Sequence, residues 1–131
     1  MPGTTMQENK AKKVLIIEDE GDMRLLLDIM LNGKHNLQME YSKSLKDAGE
    51  ILKVEQPDVV ILDNKLPDGL GIDYITEIKK NYPGIKIIMI SGYDASAEDV
   101  ALENGAHIFL QKPFTRDQLY NSIKQLLQQN S

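Results

Sequence analysis

Apolar positions along this chain switch back and forth between two rhythms. Short continuous runs rich in β-branched residues alternate with segments whose apolar residues recur at helical spacing. Lys13–Ile17, KVLII, is the first such run, too short for a buried helix and so a strand. GDMRLLLDIMLNG follows, with Met23, Leu26, Leu27, Met30 and Leu31 on one helical stripe and Gly33 as its stop. In NLQMEY the apolar residues Leu37, Met39 and Tyr41 alternate with polar ones, the mark of a half-buried strand. Ser44, with Asp47 three residues on, opens the next helix, SLKDAGEILKVEQ, at capping-box spacing. PDVVILD is a third strand, with Pro57 tolerated at its start.

The alternation continues to the end. GIDYITEIKKNY is helical, carries Ile75, Ile78 and Tyr82 on one stripe, and stops at Pro83-Gly84. IKIIMI is a fourth buried strand. DASAEDVALENG is a helix capped by Asp94 and stopped by Gly105, its apolar face thin and mostly alanine. AHIFLQ is the fifth strand. TRDQLYNSIKQLLQQ closes the pattern, with Thr115 and Gln118 as a capping box and Leu119, Ile123, Leu126 and Leu127 as its buried stripe. Strands alternating with helices predict an α/β fold, a parallel sheet covered by helices on both faces. Right-handed crossovers leave few topologies open. In such sheets, chemistry sits beyond the carboxyl ends of the strands.

That rule can be applied to the residues themselves. The first strand ends in Glu18-Asp19-Glu20, the third in Asp63, the fourth in Ser91-Gly92 and the fifth in Lys112-Pro113. Carboxylates crowded along one sheet edge repel one another and need a cation. Hard carboxylate oxygens suit Mg²⁺, which keeps several waters and completes its shell with phosphate oxygens. A charge at the end of the buried run VVILD is tolerable if that cation and Lys112 neutralise it. A carboxylate so placed can attack phosphorus, with Lys112 as a point charge and the Ser91 hydroxyl as a hydrogen-bond donor to the incoming oxygens. Gly92 leaves room for the group to approach.

Composition narrows the picture. The 131 residues suit one domain with a core, and without cysteine neither disulfides nor a thiolate zinc site are available, which fits a reducing cytoplasm. No apolar run approaches the roughly 18 residues of a membrane span. MPGTTMQENKAKK lacks the apolar middle of a signal peptide. A net charge of −5 argues against direct nucleic-acid binding.

Four segments, IIEDE, ILDNKLPDGLG, MISGYD and FLQKPF, stand in this order at the strand ends, and with them the chain resembles the receiver domain of bacterial response regulators. The resemblance implies a flavodoxin-like (βα)5 fold, doubly wound with strand order 2-1-3-4-5, over residues 13–129; the polar stretch before it, 1–12, reads as a flexible leader. It implies Asp63 as phosphoacceptor, Asp19 and Asp63 as direct Mg²⁺ ligands, Glu18 holding a metal-bound water, and the backbone carbonyl of Lys65 as a further ligand. Ser91 would be the switch hydroxyl, Lys112 the lysine that pairs with the phosphoryl group, and Phe109 the aromatic that turns inward on activation. Lys112-Pro113 would be a cis peptide bond. Glu18 stands where Asp is more frequent, and Phe109 lacks the hydroxyl some members carry. Lys65 and Tyr93 flank the path of an attacking water and would tune phosphoryl lifetime.

The resemblance further implies a sensor histidine kinase or histidine phosphotransfer protein as phosphoryl donor. A downstream protein would meet the face of the fourth helix, fifth strand and fifth helix. No output domain is expected to follow the fifth helix, which makes a single-domain regulator the leading reading. A receiver cut from a longer transcription factor or hybrid kinase is the alternative. A haloacid-dehalogenase-type phosphatase would need an acid at position 65, which is Lys65, and a flavin site would need a phosphate loop after the first strand. Taken singly, each residue has a plainer reading: Glu18-Asp19-Glu20 as a solvated loop, Ser91 as a cap, Lys112 as surface charge, Phe109 as core. Pro67-Asp68-Gly69 reads as a turn, and Met23, Met30, Met39 and Met89 as core. His35 and His107 lack metal-ligand spacing and receive no role.

Overall fold

Continuous and alternating apolar runs form the strands, and segments with apolar residues at helical spacing form the helices. The structure, a computed structural model, describes residues 11–31, 33, 36–92 and 95–128. Expectations for residues 1–10, His35, Tyr93, Asp94 and Gln129 lie outside the described residues. The strands are β1 (Lys12–Ile17), β2 (Leu37–Ser42), β3 (Val59–Asp63), β4 (Lys86–Ser91) and β5 (Ile108–Gln111). The helices are α1 (Gly21–Leu31), α2 (Leu45–Val54), α3 (Gly71–Asn81), α4 (Ala95–Asn104) and α5 (Arg116–Gln128). Lys12, the last residue assigned to the leader, is the first of β1.

All five strands are parallel, in the order β2-β1-β3-β4-β5. Alternation along each strand divides the core into two halves. Leu15, Ile17, Val60, Leu62, Ile87 and Met89 pack against α2, α3 and α4. Val14, Ile16, Val59, Ile61, Ile88 and Ile90 pack against α1 and α5. Both faces of β3 are therefore covered, and all five of its residues are buried, Asp63 included. The order reverses between β1 and β3, so the crevice beyond these two strands is the expected ligand position.

The termini of the helices match their sequence signals. Ser44 Oγ accepts the Asp47 N–H at the start of α2. Thr115 and Gln118 cap α5 reciprocally, at 2.8 and 3.0 Å. Gly33 and Gly105 both adopt positive φ after the helices they end, 86° and 119°.

Three details differ from expectation. The face of α1 that meets the sheet is narrower than its apolar pattern. Leu27 and Leu31 are buried, but Leu26 is 43% exposed at the rim of a groove shared with Pro113 and Phe114. Of the four methionines expected in the core only Met89 is fully buried; Met23, Met30 and Met39 pack against its edge. The segment after Asp63 is more than a turn: Lys65–Leu66 and Gly69–Leu70 pair as a small antiparallel ribbon. Hydrophobic periodicity carries no signal for so short a pairing.

Candidate functional site

Sheet geometry brings the four strand ends together in one open cleft of about 460 Å³. Asp19, Asp63, Lys65, Ser91, Gly92 and Lys112 all line it, as do Glu20 and Asn64. Glu18, next to Asp19 at the end of β1, is fully buried and not among the lining residues. Its amide donates to the Ser42 carbonyl at 2.9 Å, so β2 holds this strand end in place. Ser91 and Lys112 are tied by backbone: Lys112 N–H donates to Ser91 O at 2.7 Å. Lys112-Pro113 is cis.

Three carboxyl groups, Glu18, Asp19 and Asp63, each present an oxygen within 4.8 Å of the others. Asp63 is 6% exposed and Asp19 is exposed, which leaves the cluster open on its outer side. Lys112 reaches in from β5, its Nζ 3.2 Å from Asp63 Oδ1 and 3.8 Å from Glu18 Oε1. One ammonium cannot balance three carboxylates. Burial pushes the Glu18 carboxyl up to about 7; the Glu20 amide opposes this and the Asp63 charge adds to it. Glu18 Oε2 accepts the Glu20 N–H at 3.2 Å, whereas Oε1 is buried without a hydrogen-bond partner. A buried acceptor with nothing to accept, beside two more hard oxygen donors, fits a small divalent cation such as Mg²⁺.

Phe109 lies on β5, opposite Met89 of β4, and is half-buried against the core on the α2–α4 side. Of the expected residues that are described, Asp19, Asp63, Lys65, Ser91 and Lys112 line the cleft, Glu18 is buried next to Asp19, and Phe109 lies on β5. Two contributors were not expected. Asn64 holds the segment after Asp63: its carbonyl accepts the Gly71 N–H at 2.7 Å and its Oδ1 accepts the Ile72 N–H at 3.0 Å. The first turn of α3 is thereby capped from the segment that follows β3. Gly71 itself leaves no space, since a Cβ there would stand 2.2 Å from the Asp63 carbonyl oxygen. Two glycines in LPDGLG, one more than a turn needs, were the available signal.

Comparison with known proteins agrees with this fold. The family model for the response regulator receiver domain matches residues 14–124. Response regulator protein PilR of Pseudomonas aeruginosa is 38% identical over 103 residues, which cover 78% of this chain and 23% of that protein. The chain therefore spans about a quarter of the curated relative it matches. NtrX from Brucella abortus superposes with a TM-score of 0.83 at 28% identity, over 91% of this chain and 27% of that one. The beryllofluoride-activated NtrC4 receiver domain dimer gives 0.84 at 30% identity, over 91% and 98% of the two chains. Among the described residues no helix is long and apolar enough to cross a membrane.

Proposed function

The chain belongs to the response regulator receiver family of two-component signalling, and we propose that Asp63 is its phosphoacceptor, taking a phosphoryl group from a histidine of a sensor kinase or phosphotransfer protein. One observation carries this reading: a carboxylate ends a fully buried strand yet faces an open cleft, 3.2 Å from the Lys112 ammonium and within reach of two further carboxyls. Asp19 and Asp63 would hold Mg²⁺ directly, Glu18 through a water, and the Lys65 carbonyl would add a fourth oxygen. When bound, the ion supplies the positive charge that the acidic cluster lacks and that phosphoryl oxygens require.

The chain's own groups do the rest. An Asp63 oxygen attacks phosphorus as the bond to the donor imidazole breaks, giving an aspartyl phosphate. Lys112 shifts its ion pair from the carboxylate to a phosphoryl oxygen. Ser91 donates to another, and Gly92 leaves the approach clear. The added charge, about −1.5 to −2, draws Ser91 toward the cleft and vacates space for Phe109. The face of α4, β5 and α5 then changes its affinity for a protein partner. Among the described residues of α4 only the small side chains of Ala97 and Ala101 are buried, so the helix has a thin apolar grip on the core, which supports its shifting.

Phosphoryl transfer onto its own aspartate, rather than turnover of phosphate esters, is the activity this reading assigns, in the cytoplasm. A receiver joined to an output domain is the second reading, favoured by the share of PilR and NtrX that this chain covers. Intact mass after incubation with Mg²⁺ and acetyl phosphate tests the assignment. A phosphate-sized gain is expected, lost in Asp63→Asn and prevented by a chelator. Gain at another residue, or none under any condition, overturns it.

A further inference from the structure

The loop from β3 to α3 contributes Asn64 and Lys65 to the cleft, whereas its tip, Pro67-Asp68, lines none of it. What the tip does is visible on another helix. The first N–H groups of α2 have no partner within the helix. Asp47 N–H donates to Ser44 Oγ at 3.1 Å. Leu45 and Lys46 N–H donate instead to the two oxygens of Asp68, Oδ1 and Oδ2, each at 2.9 Å. One carboxylate is thus clasped by two successive amides at the positive end of α2, which holds its pKa below the usual carboxylate range. Gly69 presses on the same helix: a Cβ there would stand 3.0 Å from Leu45 Cδ1.

The consequence falls on Lys65. The ribbon pairs Lys65 with Leu70 and Leu66 with Gly69, and Asp68 sits in the turn that joins the pairs. At its other end the loop is fastened to α3 through Asn64. The Lys65 side chain is exposed and anchors nothing by burial. Its backbone is held between two clasps, one on each helix.

We infer that Asp68 is a positioning residue for the phosphoacceptor cleft: by gripping the first turn of α2 it fixes the loop that carries Lys65 along the cleft. This rests on the reading of that cleft given above. Asp68 touches neither phosphoryl group nor metal, and acts only through the backbone of residues 65–70. The same linkage runs backwards, because coupling between two sites is reciprocal. Cation binding should tighten the start of α2.

Calorimetric Mg²⁺ titration of the whole chain, beside Asp68→Ala, Asp68→Asn and Ser44→Ala, tests this. Ser44→Ala removes the other side-chain cap of the same helix turn without touching the loop. Asp68→Ala should bind Mg²⁺ about tenfold more weakly, as loss of an outer-sphere partner does. Asp68→Asn, which keeps one acceptor oxygen, should fall between it and the parent. Ser44→Ala should melt earlier yet bind Mg²⁺ as the parent does. At saturating Mg²⁺ the acetyl phosphate reaction of Asp68→Ala should recover. Hydrogen exchange at the Leu45 and Lys46 amides should slow on adding Mg²⁺ in the parent and not in Asp68→Ala. Parental Mg²⁺ affinity in Asp68→Ala, or an equal loss in Ser44→Ala, overturns the inference alone. A parent that neither binds Mg²⁺ nor gains a phosphoryl group overturns the reading of the cleft and this inference with it.

Discussion

At Gly71 a single methyl group would meet the backbone of Asp63, the proposed phosphoacceptor. A Cβ there lies 2.2 Å from Asp63 O and 3.0 Å from Leu62 Cγ, and a strand buried on both faces cannot retreat. Gly71→Ala should therefore cost about 1–3 kcal/mol, as overpacking does, and also slow phosphorylation by displacing Asp63. Gly84 is the contrast, with nothing within 4 Å of its position and no positive φ. Gly84→Ala should be neutral or stabilising by about 0.4–1 kcal/mol, through the unfolded chain. Denaturant melts of the two variants, each followed by the acetyl phosphate reaction, separate these outcomes. Lys112 is a different case, because its side chain is 23% exposed and its proposed role is electrostatic. Lys112→Met should leave the fold intact and slow acetyl phosphate labelling by about 10²-fold or more, the scale of losing one placed charge-stabilising donor. A mass-based time course reads this directly.

Elements are joined by polar side chains as well as by apolar faces. His107, placed just before β5, accepts the Ile87 N–H of β4 through Nδ1 at 3.0 Å, while its backbone N–H donates to Ile87 O at 2.9 Å. The imidazole therefore continues the β4–β5 pairing where the strand itself stops. Burial lowers its pKa, and the charges of Lys79 on α3 and Lys86 on β4 lower it further. A group whose folded pKa is depressed contributes stability that is present above its unfolded value, about 6.5 for histidine, and is lost as pH falls toward the folded value. Glu18 acts with the opposite sign, since its folded pKa is raised and its cost grows as pH rises toward 7. The difference in stability between the parent and His107→Gln removes that shared term. This difference should shrink as pH is lowered from 7.5 to 5.5. Urea melts across that range measure it, and a constant difference would contradict the geometry.

For the molecule as a whole, two half-cores clamp one sheet, and the cleft at its end gathers three carboxyl groups around one ammonium. A ligand that binds only the folded state stabilises it by mass action. Mg²⁺ at about a hundred times its dissociation constant should add about 2.7 kcal/mol, and a chelator should remove the gain. Asp19→Asn, at an exposed position, should fold as the parent does and show a much smaller upward shift of Tm with Mg²⁺. Thermal melts with and without the ion check both statements.

How far the chain could be read before folding follows from the range of each interaction. The strands, the helices and their caps were legible because periodicity and capping are set by neighbours a few residues apart, as with Thr115 and Gln118. The charged ends of β1, β3 and β5 were legible as one site because a parallel sheet aligns its carboxyl ends, although Lys112 and Asp63 stand 49 residues apart. Leu26 was misplaced because helical period marks an apolar face but not how wide a neighbour will cover it. Asp68 looked like a turn residue and His107 like none at all. Their partners, Leu45 and Ile87, lie 23 and 20 residues away, with no repeating pattern to connect them. Local pattern determined which elements form and where the acids gather. Only the tertiary structure decided which loop amide or helix end each lone polar group would meet, because such a pairing is made by the path of the backbone through space and leaves no periodic trace in the chain.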